Sequence, residues 1–254
     1  MTKEELLKQR LFAIGESLKN SNKALALLGL GSAGSEIERM DEYSDLDFFA
    51  IVQHGQKTTF LESLDWLASI GPIAYAFMNT KDGFKVFYTD DVFLEFAVFE
   101  PAELDGIPFA SEKIIWQDER FDPSILQPTQ KESKALDLEW SIGECLTNLY
   151  IGMSRYRRGE KLSAFRFIQH FAIDRILDLA QRVEAEQPAY KDQFGNERRF
   201  EQRFPETAVL LPQLMQGYDK TPESTRAILA FLEAHFEINQ AIKQAILKLV
   251  DEDV

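Results

Sequence analysis

The sequence predicts an α+β protein in two domains, a layer of strands and helices over residues 1–127 and an α-helical bundle over 128–254. Three observations predict it. Short apolar runs of strand length alternate with helical periodicity across about the first 120 residues. A polar, proline-marked stretch follows at 118–123, with Pro128 beyond it. After that stretch the apolar spacing is helical throughout, as in a bundle with short connections.

Thr2-Lys3-Glu4-Glu5 is a capping box, in which the Thr2 hydroxyl and the Glu5 carboxylate each satisfy a free backbone N–H at a helix start. Leu6, Leu7, Leu11, Ile14 and Leu18 follow at helical spacing. Strands are expected near 24–30 and 45–53. A helix around 58–70, with Phe60, Leu61, Leu64, Leu67 and Ala68 apolar, stops at Gly71-Pro72. A strand at 73–78 precedes a hairpin of 84–88 and 92–99, turning at Thr89-Asp90-Asp91. A short strand at 113–116 ends the domain. In the second domain helices are expected over 132–158, where Ala135, Leu138, Ile142, Cys145, Leu149 and Met153 recur, over 161–186, near 205–216 and over 222–250. There is no internal repeat.

With 254 residues, 45% of them apolar and 28% charged, the chain has the composition of a soluble globular protein with an ample core. No apolar stretch is long enough to span a bilayer, and the charged, helical N-terminus does not read as a signal peptide, so no membrane partner is expected. The single cysteine, Cys145, falls on a helix as a core thiol, which fits a reducing cytoplasm. The net charge of −14 is uneven: residues 1–130 hold 22 acidic against 11 basic side chains, and 131–203 are close to neutral. A polynucleotide partner would need a basic track, and none is evident, so nucleic acid is disfavoured. An acidic cleft would instead draw a cationic small molecule.

The chemistry concentrates in Ser44-Asp45-Leu46-Asp47-Phe48-Phe49-Ala50-Ile51-Val52. Strand side chains alternate faces, so Asp45 and Asp47 point the same way, with Cα atoms about 6.5–7 Å apart. Two carboxylates on one face repel unless a cation lies between them. Mg²⁺ is commonly held by one or two carboxylates together with substrate phosphates, and two such ions can clamp an in-line phosphoryl displacement. A third acid, Glu95, stands alone in the apolar run 92–99, where burial is costly unless it is paired or metal-bound. It suits a base for an acceptor hydroxyl, a metal ligand, or both. Ahead of these acids, the run 24–30 ends in Gly31-Ser32, where glycine permits positive φ and close backbone approach to an anion, and Ser32 adds a hydroxyl donor. Neither a Walker loop nor a dinucleotide fingerprint in its strand–helix context is present.

Gly31-Ser32, the spacer with Asp41-Glu42-Tyr43, Ser44-Asp45-Leu46-Asp47 and the later Glu95 together resemble the DNA polymerase β-like nucleotidyltransferase superfamily, most of all its lincosamide and aminoglycoside nucleotidyltransferases. The motif-bearing match spans about residues 24–100. The resemblance implies a mixed sheet flanked by helices, two Mg²⁺ ions, ATP or another nucleoside triphosphate as donor, and transfer of a nucleoside monophosphate to a hydroxyl. It makes Asp45, Asp47 and Glu95 the catalytic and metal-binding acids and sets Gly31 and Ser32 on the triphosphate. A glutamate where aspartate is commoner leaves open whether Glu95 mainly binds metal or mainly acts as base.

Arg155-Tyr156-Arg157-Arg158-Gly159-Glu160-Lys161 is the densest basic cluster. It reads either as cations at a helix C-terminus capped by Gly159 or as phosphate ligands facing the nucleotide across a cleft. The resemblance favours Lys161, with Arg158 beside it, for the nucleotide. Arg198, Arg199 and Arg203 are expected to bridge the domains. His54, His170 and His235 lack metal-ligand spacing. The expected partners are a nucleoside triphosphate and a small-molecule acceptor, with monomer and homodimer both open. Two rivals stand beside this: a transferase that modifies a protein partner, as in a toxin–antitoxin pair, and a non-catalytic nucleotide-binding protein.

Overall fold

Apolar side chains of the first domain have one large surface to cover, a six-stranded mixed sheet in the order β3-β4-β5-β2-β1-β6. The computed structural model describes residues 1–105, 107, 113–126, 136–192 and 195–252. Its contacts gather into two units, Met1–Lys131 and Glu132–Val254. The expected boundary at 127/128 lies outside the described residues, as do Pro128 and Ala135.

In the first unit α1 (Lys3–Asn20) starts at the expected capping box, with the Glu5 N–H donating to Thr2 Oγ1 and the Thr2 N–H to Glu5. It lays Leu7, Leu11, Ile14 and Leu18 on one face of the sheet. The strands are β1 (Ala24–Leu30), β2 (Leu46–Val52), β3 (Ile73–Thr80), β4 (Gly83–Tyr88), β5 (Phe93–Phe99) and β6 (Lys113–Gln117). All neighbours are antiparallel except β2 and β5, which run parallel at the centre. The α1 side buries Leu46, Phe48, Ala50, Leu94, Phe96 and Val98. Phe48 stacks on Phe96 at 5.3 Å, and Trp66 meets both rings edge-on. Among the described residues, the opposite face is covered only in part, where Leu28, Ile51 and Phe99 pack with Leu104 and Phe121. The acidic end of that face is therefore half-open.

The single helix expected over 58–70 is two short ones, α2 (Lys57–Glu62) and α3 (Asp65–Ala68). Ser63 is extended, and its hydroxyl accepts the Asp65 N–H, which ends one helix and starts the next. Lys57 reaches Asp82 at 2.7 Å and Glu103 at 2.6 Å, tying α2 to the β3–β4 turn. Burial acts to lower the Lys57 pKa, but the two carboxylates outweigh it and raise it. Burial acts to raise that of Glu103, and the Glu100 N–H and Lys57 carry it down instead. A raised lysine stabilises below its unfolded pKa and loses its contribution as pH rises through the folded one. A lowered glutamate contributes above its unfolded pKa and loses its share on acidification. The link thus acts from the carboxylate range up to the lysine range. In Glu103→Gln the fall of melting temperature on acidification below the ordinary glutamate value of 4.5 should flatten, as circular dichroism melts across the acid range will show.

The second unit is helical: α4 (Leu138–Arg157), α5 (Lys161–Arg166), α6 (Ile173–Leu179), the single turns α7 (Phe200–Arg203), α8 (Pro205–Ala208) and α9 (Leu211–Leu214), then α10 (Thr221–His235) and α11 (Gln240–Asp251). Its core joins Cys145, Leu149 and Met153 of α4 to Ile168, Ile176, Leu232 and Ile246. Burial pushes the Cys145 thiol up, as befits a core thiol. Three expected helices differ. The run 161–186 contains a π turn at Phe167–Ala172, which lets buried Gln169 clamp Gly217 through its N–H and C=O at 2.8 Å each. The segment 205–216 is two single turns, and 222–250 breaks after His235 and restarts at Asn239, whose side chain caps α11. Among the described residues no helix is long and apolar enough to cross a membrane.

Candidate active site

The parallel pairing of β2 and β5 builds the site. Asp47 lies directly opposite Glu95 in register, so the two carboxylates share a face on adjacent strands. Asp45 precedes β2 by one residue rather than lying within it. It is half-buried like Asp47, while Leu46 between them is fully buried, so alternation keeps both aspartates on the half-open face. The approach to Asp45 is locked by a small turn. Asp41 accepts the Tyr43 N–H at 2.9 Å and the Ser44 hydroxyl at 3.1 Å, and its own N–H donates to Ser44 Oγ at 3.0 Å.

β1 pairs antiparallel with β2, Leu30 against Asp47, and delivers Gly31-Ser32 to the same end of the sheet. Gly31 has φ +51°, the left-handed conformation expected of it, and opens a 3₁₀ turn over Gly31–Ala33. Ser32 is buried, and its hydroxyl lies 3.5 Å from the Asp45 carbonyl oxygen, a long contact that points it at the acid loop. Gly29 carries a further constraint: a Cβ there would sit 2.0 Å from the Ala33 carbonyl oxygen.

Glu95 has two partners that sequence reasoning missed. Asn79 donates its side-chain N–H to one carboxylate oxygen at 2.7 Å, and the Lys85 ammonium lies 3.1 Å from the other. Lys85 faces Glu95 in the β4–β5 register. Counting that hairpin out from its turn would have found the pair. Among the described residues, no group of three or more His, Cys, Asp or Glu side chains is arranged to hold a metal ion. As a donor set for Mg²⁺, Asp45 and Asp47 fit: two carboxylates on one face, leaving positions for phosphate oxygens. Both carboxylate oxygens of Glu95 are engaged, one by an amide and the other by an ammonium.

The remaining expected ligands lie in the second unit, on the turn between α4 and α5. Gly159 has φ +80° there. Arg158 pairs with Glu160 at 3.2 Å, and the exposed Lys161 ammonium sits 5.3 Å from the centre of the Tyr156 ring. Arg157 instead donates to the Leu249 and Val250 carbonyls at the end of α11. Arg198 and Arg199 pair with Asp192, and Arg203 with Glu186. These partners belong to the same unit.

No family model matches the chain, and no curated protein matches it. Among solved structures it is similar to an aminoglycoside 6-adenyltransferase from Bacillus subtilis, at 12% identity over 96% of this chain and 99% of that one, with a TM-score of 0.38. It is also similar to a proposed nucleotidyltransferase from Sulfolobus solfataricus, at 11% identity over 46% of this chain and 86% of that one, with a TM-score of 0.30.

Proposed function

We propose that the protein transfers a nucleoside monophosphate from ATP or another nucleoside triphosphate to a hydroxyl of a small molecule and releases pyrophosphate. The observation that carries this is the register of Asp47 against Glu95, with Asp45 two residues away on the same face. Three carboxylates gathered at one half-open sheet end, of which Glu95 is met by Lys85 and Asn79, suit a cation and a phosphate. Bound Mg²⁺ would neutralise the phosphate oxygens and the leaving pyrophosphate. Asp45 and Asp47 would hold it, and the Gly31-Ser32 backbone would lie along the triphosphate. Glu95 takes the proton of the acceptor hydroxyl as its oxygen bonds to the α-phosphorus, and the bond from that phosphorus to the bridging oxygen of pyrophosphate breaks. Lys161 and Arg158 are proposed to neutralise phosphate charge, and a lincosamide or aminoglycoside is the proposed acceptor.

Isothermal titration with ATP, with and without Mg²⁺, and a pyrophosphate-release assay over both antibiotic classes test this. Magnesium-dependent ATP binding with acceptor-dependent release is the expected result. ATP binding indifferent to Mg²⁺, with no release for any acceptor, would overturn it.

A further inference from the structure

The open face of the sheet continues past Glu95 in two cross-strand rows. One runs Leu30, Asp47, Glu95, Lys85, Phe77 across β1, β2, β5, β4 and β3. The next places Phe93 of β5, Phe87 of β4 and Tyr75 of β3 side by side. The rows thus change from acidic at the centre to aromatic at the edge. Tyr75 and Phe77 are 60% and 50% exposed, on an edge strand with no charged residue between Ile73 and Thr80. Single exposed aromatics are ordinary, and free edges usually carry lysine or proline. Two aromatics in line with a catalytic carboxylate are a different matter.

From this arrangement we infer that Tyr75 and Phe77 form the acceptor subsite and that the acceptor is a hydroxyl-bearing compound with an apolar ring face. The inference rests on the nucleotidyl-transfer reading. Strands lie about 4.8 Å apart, so Phe77 is about 10 Å from Glu95, the reach of a two-ring molecule whose far ring stacks on the aromatics while its hydroxyl meets Glu95. The sheet order then assigns each side of the reaction. Gly31-Ser32 lies beyond the aspartates, where pyrophosphate leaves, and β4 and β3 lie beyond Glu95, where the attacking oxygen enters. Lys85, between Phe77 and Glu95, would face the middle of the acceptor, so of the two proposed classes the polycationic aminoglycosides are disfavoured there.

Saturation-transfer NMR on the full chain with Mg²⁺ and a non-hydrolysable ATP analogue tests this, with nitrophenyl glucoside and methyl glucoside as matched probes. Saturation of the nitrophenyl ring is expected in the wild type and in Tyr75→Phe/Phe77→Tyr. In Tyr75→Ser/Phe77→Ser the affinity should fall about tenfold, the loss of two stacking contacts. Methyl glucoside should show little saturation throughout. No ring saturation in the wild type, or equal saturation in the serine variant, would overturn the subsite. So would sedimentation velocity showing that the serine variant splits a dimer, because a second copy would then cover the strand. ATP titration of the same samples reports the donor site separately. Intact Mg²⁺-dependent ATP binding alongside absent ring binding removes the subsite and leaves the transferase reading standing. Absent ATP binding removes that reading itself.

Discussion

Asp47→Asn is expected to lower acceptor-dependent pyrophosphate release by on the order of 10³-fold or more while leaving the fold intact. The two side chains have the same shape, so the neighbours Leu30 and Glu95 in the register keep their places. What changes is charge. The amide cannot replace a carboxylate as a ligand for a hard cation. An unchanged far-UV circular dichroism spectrum alongside lost turnover would mark Asp47 as functional. Unchanged turnover in a well-folded Asp47→Asn protein would remove it from the site.

Gly29→Ala is expected to have the largest structural effect near the site, about 3 kcal/mol of destabilisation by urea titration. The added Cβ would fall 2.0 Å from the Ala33 carbonyl oxygen and 3.2 Å from Ile115. The first of these is backbone and cannot rotate away. Either β1 leaves its register with β2 or the Gly31–Ala33 turn moves, and each would carry Gly31-Ser32 away from the aspartates. Gly31→Ala makes the control. Its nearest obstacle is the flexible Arg39 side chain at 3.3 Å, so the strain there is mainly that of φ +51°, about 1–2 kcal/mol. Weaker destabilisation in Gly29→Ala than in Gly31→Ala would show that the turn yields easily.

The strands were legible because each carries an apolar run bounded by turn residues, and β1, β4 and β5 fall within a residue or so of expectation. The Asp45/Asp47 pair was legible from alternation alone. Helix breaks were less so, because periodicity records which residues face the core, not whether the backbone stays helical between them. Phe60 and Leu67 both pack under the same sheet, so the apolar pattern runs straight through extended Ser63. The π turn has no periodic signature; it shows only when Gln169 is seen reaching Gly217. Asn239 did offer a capping signal inside the expected helix 222–250, and its apolar neighbours masked it. That β2 and β5 are neighbours was beyond any local pattern, because the partner of a strand is decided by packing across the whole sheet.

The parallel β2–β5 ladder makes the proposed reaction centre an all-or-nothing object. Some forty residues of chain, through α2, α3, β3 and β4, must return before Glu95 can align with Asp47. A slip of one position at that return would present Leu94 or Phe96 to the aspartates and turn the carboxylate into the apolar interior. Lengthening or shortening the excursion cannot tune the alignment by degrees, so a lineage altering this stretch would keep the acids matched or lose the chemistry in a single step.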